Sequence, residues 1–181
     1  MKKRLIVTDL DDCLIELLPE WVHRLNVEYG LNVTVDDITD WDMSKAFPTV
    51  PVDKLYSPLF DTEIYKYMKP VKDAVKYLNL LHEEGFPIKI ATASHYNCLP
   101  HKLEQAVFPM FKWLTYKDIM VVHDKSIIDC GFLIDDYHKN LEGSNAYRIL
   151  MDKPYNQDST VEDFRAFTWE QIYNIIHFYC D

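Results

Sequence analysis

Short apolar runs that end in small or acidic residues recur along this chain, and stretches with helical spacing separate them. Leu5, Ile6 and Val7 form the first run, so residues 4–8 read as a buried parallel strand. In 19–29, Trp21, Val22, Leu25 and Tyr29 share a helical face, and Gly30 suits a C-terminal cap. Thr34, with Asp36 and Asp37, starts a further predicted helix through DDITDWDMSKAF. Pro48, Pro51 and Pro58 then divide the chain into short pieces. Residues 71–84 are clearly amphipathic: Val71, Ala74, Val75, Leu78 and Leu81 line one side, and Gly85 ends the helix. PIKIATAS is the second strand, and 99–113 reads as helical up to Pro109. IMVV (119–122), FLIDD (132–136) and AYRILM (146–151) are the remaining strands. Residues 161–179 read as a closing helix that buries Phe164, Phe167, Ile172, Ile175 and Ile176.

Strands alternating with helices predict an α/β fold: a Rossmann-like parallel sheet with helices on both faces. The segment 15–68 carries no strand signal and is rich in Trp, Tyr and Phe. It reads as a small helical cap inserted after strand 1, which leaves 1–14 and 69–181 as the core. In parallel sheets ligands sit at the carboxyl ends of the strands. That rule collects Asp9, Asp11, Thr92, Asp135 and Asp136 on one edge.

Composition narrows the function. The 181 residues are 48% hydrophobic and 14% aromatic, enough for a full core. A formal net charge of −10 argues against a nucleic acid polymer or an anionic membrane as partner. It leaves room for a small phosphorylated ligand. Cys13, Cys98, Cys130 and Cys180 form no C-x-x-C pair, and no stretch approaches the ~18 apolar residues of a membrane span. These readings predict reduced thiols and a cytoplasmic location.

Three carboxylates in four positions, Asp9, Asp11 and Asp12, directly follow a strand built for burial. Clustered buried carboxylates are costly unless a cation offsets them. Further along stand Thr92 in IATAS, Lys125 in HDKS and the pair Asp135–Asp136 in FLIDD. In this order the four segments resemble the haloacid dehalogenase superfamily of aspartate-nucleophile phosphotransferases. The spacing of DKSIIDCGFLIDD, the late ILMDKPYN and the DITDWD segment resemble its 5′(3′)-deoxyribonucleotidase-like branch.

The resemblance implies a phosphatase for a small nucleotide or other phosphomonoester. Asp9 would be the nucleophile and Asp11 the general acid and base. Thr92 and Lys125 would hold the phosphate. Mg²⁺ would sit on Asp9, the Asp11 backbone carbonyl and an acid of the 135–136 pair, with Asp136 favoured as ligand and Asp135 as support. Deoxyribonucleoside 5′-monophosphates are the implied substrates. A sugar phosphate stays open as an alternative. A receiver-type phosphate sensor fits less well, because Lys125 precedes the last acidic pair.

Trp41, Phe47 and Tyr65 are candidate stacking partners for a nucleobase, although such residues more commonly form the core of a small lobe. The histidines show no zinc spacing, and His95 reads as a loop residue. Asp12 and Asp73 stand where relatives often carry Gly, and Cys13 where Thr or Val is frequent. Asp73 reads as a favourable acid in a helix's first turn.

Overall fold

The computed structural model describes residues 3–180. Six strands form one parallel sheet: β1 (Ile6–Thr8), β2 (Ile88–Thr92), β3 (Ile119–Val121), β4 (Phe132–Asp135), β5 (Tyr147–Met151) and β6 (Phe164–Ala166). Their spatial order is β3-β2-β1-β4-β5-β6. Thr8 pairs with Ile90 on one side and Ile134 on the other, so β1 is central. From β1 the chain first builds outward through β2 and β3, then returns to lay β4, β5 and β6 on the opposite side. The strand order therefore reverses beside β1, where a parallel sheet opens a crevice at its carboxyl edge. β1 and β4 are buried along their whole length, as strands covered on both faces must be.

Helix α1 (Leu17–Tyr29) ends as its sequence predicts: Gly30, at φ +64°, donates its N–H back to the Asn26 carbonyl. The DITDWD stretch departs from the predicted helix. It makes two single 3₁₀ turns, Val35–Asp37 and Met43–Lys45. The cause is local: Asp40 accepts from the Asp42 N–H and Asp42 from that of Ser44. Short acidic side chains thus capture the amides that a continuous helix needs. After α2 (Val52–Leu55) and two more 3₁₀ turns, the chain returns to the sheet. There Glu16 donates to the Lys69 carbonyl and Val71 to that of Leu14, so outgoing and returning strands are tied side by side.

Helix α3 (Ala74–Glu83) starts later than predicted, with Asp73 as its N-cap at φ +62°. Asp12 is likewise left-handed, at φ +56°. These are the two positions where relatives often carry glycine, and the positive φ gives the reason; Asp73 stands just before the helix, not in its first turn. The predicted helix 99–113 is composite: α4 (Leu99–Lys102), a π turn (Leu103–Val107) and α5 (Phe108–Met110).

The predicted closing helix is two elements. Phe164–Ala166 is β6, paired with β5 through Ile149 and Phe164, and only Trp169–Cys180 is helical (α6). Phe164 and Phe167 are three apart, which mimics a helical stripe. In the strand Phe164 packs on Tyr179, while Phe167 is 64% exposed and not buried. No helix among the described residues is long and apolar enough to cross a membrane.

Candidate active site

Asp9 leaves β1 with its N–H bound to the Ile134 carbonyl of β4, which fixes it at the sheet's carboxyl edge. The structure brings Asp9, Asp11, Thr92, Lys125, Asp135 and Asp136 together around one cavity of about 430 Å³. Asp9 and both members of the acidic pair are buried, so these carboxylates do not stand in open water.

Lys125 is buried too and bridges Asp9 and Asp135, with Nζ 2.5 Å from Asp135 Oδ2. Burial opposes its charge, but the two carboxylates outweigh that and hold the ammonium above its ordinary range. Asp135 is fully engaged. It also accepts from the Tyr137 N–H at 2.9 Å and from Asn140 Nδ2 at 3.0 and 3.2 Å. Both of its oxygens thus already accept from donors of the protein. Asp136 turns the other way. Its Oδ2 accepts from the Tyr155 hydroxyl, and its Oδ1 lies 3.8 Å from Cys13 Sγ.

Asp11, two residues past Asp9, meets a group that sequence reasoning missed. Lys102 on α4 is buried and places Nζ 2.9 and 2.7 Å from the two Asp11 carboxylate oxygens and 2.7 Å from Ser94 Oγ. Ser94 in turn shares a 2.9 Å hydrogen bond with Thr92 Oγ1. Lys102 lies on the apolar stripe Cys98, Leu99, Leu103, Ala106, and a charge on a buried stripe is a detectable sign of a buried partner. Asp12 lines the same cavity but is held by the backbone of α1. Its carboxylate accepts from the Leu18 N–H at 3.1 and 3.2 Å and so caps α1 from six residues upstream.

The cavity roof comes from the inserted segment. Trp41, 48% exposed, lines it and stacks on Tyr137 with ring centres 3.9 Å apart. Phe60 meets His95 edge-on at 5.5 Å, and both line the cavity, His95 from the loop after β2 as expected. Tyr65 lines it while donating its hydroxyl to the Leu59 carbonyl at 2.6 Å. Phe47 does not reach it. That ring is completely buried with Val22, Leu25, Ile38 and Met43, so its expected place at the substrate is corrected to the lobe's own core.

Electrostatics identify what the floor can hold. Burial pushes the Asp9 carboxyl up to about 7; Lys125 opposes this, and Asp135 and Asp11 add to it. Burial also carries Asp12 up to about 7. Burial, then the charges of Asp135, Asp9 and Asp12, hold Asp136 well above its usual range. One ligand atom each from Asp9, Cys13 and Asp136 lie within 4.8 Å of one another. Burial and Asp136 push the Cys13 thiol well up, so at neutral pH it is a protonated donor. The two carboxylates are then the oxygen donors, which fits a hard divalent cation.

A pH dependence follows. Burial holds the protons of Asp9 and Asp12 in the fold up to about pH 7, whereas an aspartate in the unfolded chain releases its proton near its ordinary 3.8. Between these limits the folded state binds more protons, so stability falls as pH rises. In chelator, the Tm is expected to drop by roughly 5–10 °C from pH 5 to pH 8. Differential scanning calorimetry across that range checks it, and a flat or rising Tm contradicts the assignment.

Comparison with known proteins gives the family. The family model for "5' nucleotidase, deoxy (Pyrimidine), cytosolic type C protein" matches residues 3–179. A 5′(3′)-deoxyribonucleotidase of Bacillus subtilis is 27% identical over 171 residues, covering 94% of this chain and 96% of its own. Another, from Clostridium acetobutylicum, is 29% identical over 157 residues, covering 87% and 86%. The fold is similar to that of a magnesium-bound HAD-hydrolase of Bacillus subtilis, with TM-score 0.62 at 14% identity, covering 98% of this chain and 100% of that one. The strand order, the crevice beside β1 and these matches agree, and the chain belongs to the deoxy (pyrimidine) cytosolic type C 5′-nucleotidase family, phosphomonoester hydrolases on the haloacid dehalogenase fold.

Proposed function

We propose that this enzyme hydrolyses deoxyribonucleoside 5′-monophosphates, and less efficiently their ribose counterparts, through an aspartyl-phosphate on Asp9. The observation that carries the reading is the pairing of two differently held carboxylates two residues apart. Asp9 is locked by Lys125 at the sheet edge, and Asp11 is held by Lys102 and Ser94 at the cavity.

In this scheme an Asp9 oxygen attacks phosphorus and the ester bond to the leaving oxygen breaks. Asp11 gives that oxygen a proton and the nucleoside departs. Asp11 then takes a proton from a water, whose oxygen attacks phosphorus. The bond to Asp9 breaks and inorganic phosphate leaves. Thr92, Ser94 and Lys125 supply donors to the phosphate oxygens, and Lys102 keeps Asp11 aimed at the leaving group. Mg²⁺, held by Asp9, Asp136 and the Asp11 backbone carbonyl, would neutralise charge on the transferring group.

Residues 15–68 act as the cap. Trp41 and Tyr65 line the space where sugar and base would lie, and the cavity volume is in the range of small-ligand sites. The four cysteines are free thiols, in keeping with a reducing, cytoplasmic setting.

The test is phosphate release from a panel of deoxyribo- and ribonucleoside 5′- and 3′-monophosphates and sugar phosphates. Deoxyribonucleoside monophosphates are expected to lead in kcat/KM, and chelation of Mg²⁺ is expected to lower the rate at least roughly 100-fold. Good turnover of a sugar phosphate with none of any nucleotide would overturn the substrate assignment and leave the phosphatase standing.

A further inference from the structure

The loop between β5 and β6 places one side chain against the acidic pair without any part in the scheme above. Tyr155 is buried and its hydroxyl donates to Asp136 Oδ2. The neighbouring Asn156 is fixed on the same residue, with Nδ2 2.8 Å from the Asp136 carbonyl and 2.8 Å from that of Met151. Arg165 on β6 holds Asn156 in turn, reaching its side-chain oxygen and its carbonyl at 3.0 Å each. The Pro154–Asn156 turn is thus a rigid bracket around Asp136.

The ring of Tyr155 belongs to the other lobe. It is buried in the cluster of Leu18, Val22, Leu25, Ile38, Met43, Phe47, Val50 and Leu55. Among the described residues it is the one buried member of that cluster from outside 15–68. Trp41 meets it edge-on at 5.5 Å. One side chain therefore has its ring in the core of the inserted segment and its hydroxyl on an acid of the floor.

We propose that Tyr155 is a positioning residue: it ties up Asp136 Oδ2, leaves Oδ1, which otherwise meets the Cys13 thiol at 3.8 Å, to face the cation, and makes the seating of the inserted lobe set the orientation of that ligand. The inference rests on the reading that Asp136 holds Mg²⁺. A carboxylate free to rotate about its last torsion presents its oxygens less often in the binding geometry. Partners that orient a metal ligand are typically worth 10- to 100-fold in metal affinity.

The experiment is Mg²⁺ titration by isothermal calorimetry of the wild type, Tyr155→Phe and Asp136→Asn, without substrate. Tyr155→Phe keeps the ring beneath Trp41 and removes only the donor. Its Mg²⁺ Kd is expected to rise at least about tenfold. The Mg²⁺ concentration for half-maximal activity should rise in parallel, while kcat at saturating Mg²⁺ stays within about threefold. Melting with and without Mg²⁺ separates a merely structural role, which would lower both Tm values equally. Here the Mg²⁺-induced rise itself is expected to shrink. Wild-type-like Mg²⁺ affinity in Tyr155→Phe, with Asp136→Asn impaired, overturns the inference and spares the metal reading. Failure of the wild type to take up Mg²⁺ overturns both.

Discussion

Replacing Asp9 with Asn is expected to lower phosphatase turnover at least roughly 1000-fold, because the variant loses the group that forms the covalent intermediate. The fold should survive, although the site is buried. The amide oxygen can still accept from Lys125, the backbone bond from Asp9 N–H to Ile134 is untouched, and Asn carries no charge to desolvate. Burial already works against the Asp9 carboxylate, so its removal takes away a strained charge rather than a stabilising one. Far-UV circular dichroism should match the wild type, and the Tm in chelator at pH 8 should be equal or higher. Retention of more than a tenth of the activity would end the covalent scheme, and a collapsed Tm would show that the ionised Asp9 supports the fold.

The sheet is largely legible because a parallel strand buried on both faces leaves an apolar run, as Ile6–Thr8 and Phe132–Asp135 do, and Ile88–Thr92 departs from it only at the half-buried Lys89. Their carboxyl ends must then share an edge, which brings Asp9, Thr92 and the acidic pair together from sequence order alone. Phe164–Ala166 was misread because an aromatic pair three apart satisfies a helix as well as a short strand, and only pairing with β5 decides. Lys102 was missed because a lysine in a helix is ordinarily solvated, and its partner Asp11 is 91 residues away. Tyr155 sits in a loop without periodicity. Trp41 and Phe47 look alike in sequence, yet one lines the cavity and the other fills the lobe, a difference that an aromatic in a stretch without periodicity does not announce. At Asp12 and Asp73 the resemblance marks the positions, where relatives often carry Gly, but the left-handed conformation itself comes only from the backbone.

The largest stability effect is expected from Lys125→Met. This lysine is the shared counter-charge of two buried carboxylates, and the methionine would fill its space without its charge. Removing one partner of a buried ion pair typically costs about 3–5 kcal/mol, because the charge left behind is unpaired. For a chain of this size that is a Tm lower by roughly 6–20 °C in chelator at pH 7.5. The loss should be smaller at pH 5, since Asp9 is already pushed towards its neutral form and can then accept its proton at little further cost. Asp135 keeps the Tyr137 N–H and Asn140 as donors, which bounds the damage. It also predicts non-additivity. Asp9→Asn combined with Lys125→Met should melt above Lys125→Met alone, because the double variant strips Lys125 from one buried carboxylate, Asp135, instead of two. Thermal melts of the three variants at both pH values measure this. A Lys125→Met protein melting within 2 °C of wild type at pH 7.5 would mean that the two carboxylates are neutral in the fold and that Lys125 is no counter-charge to them.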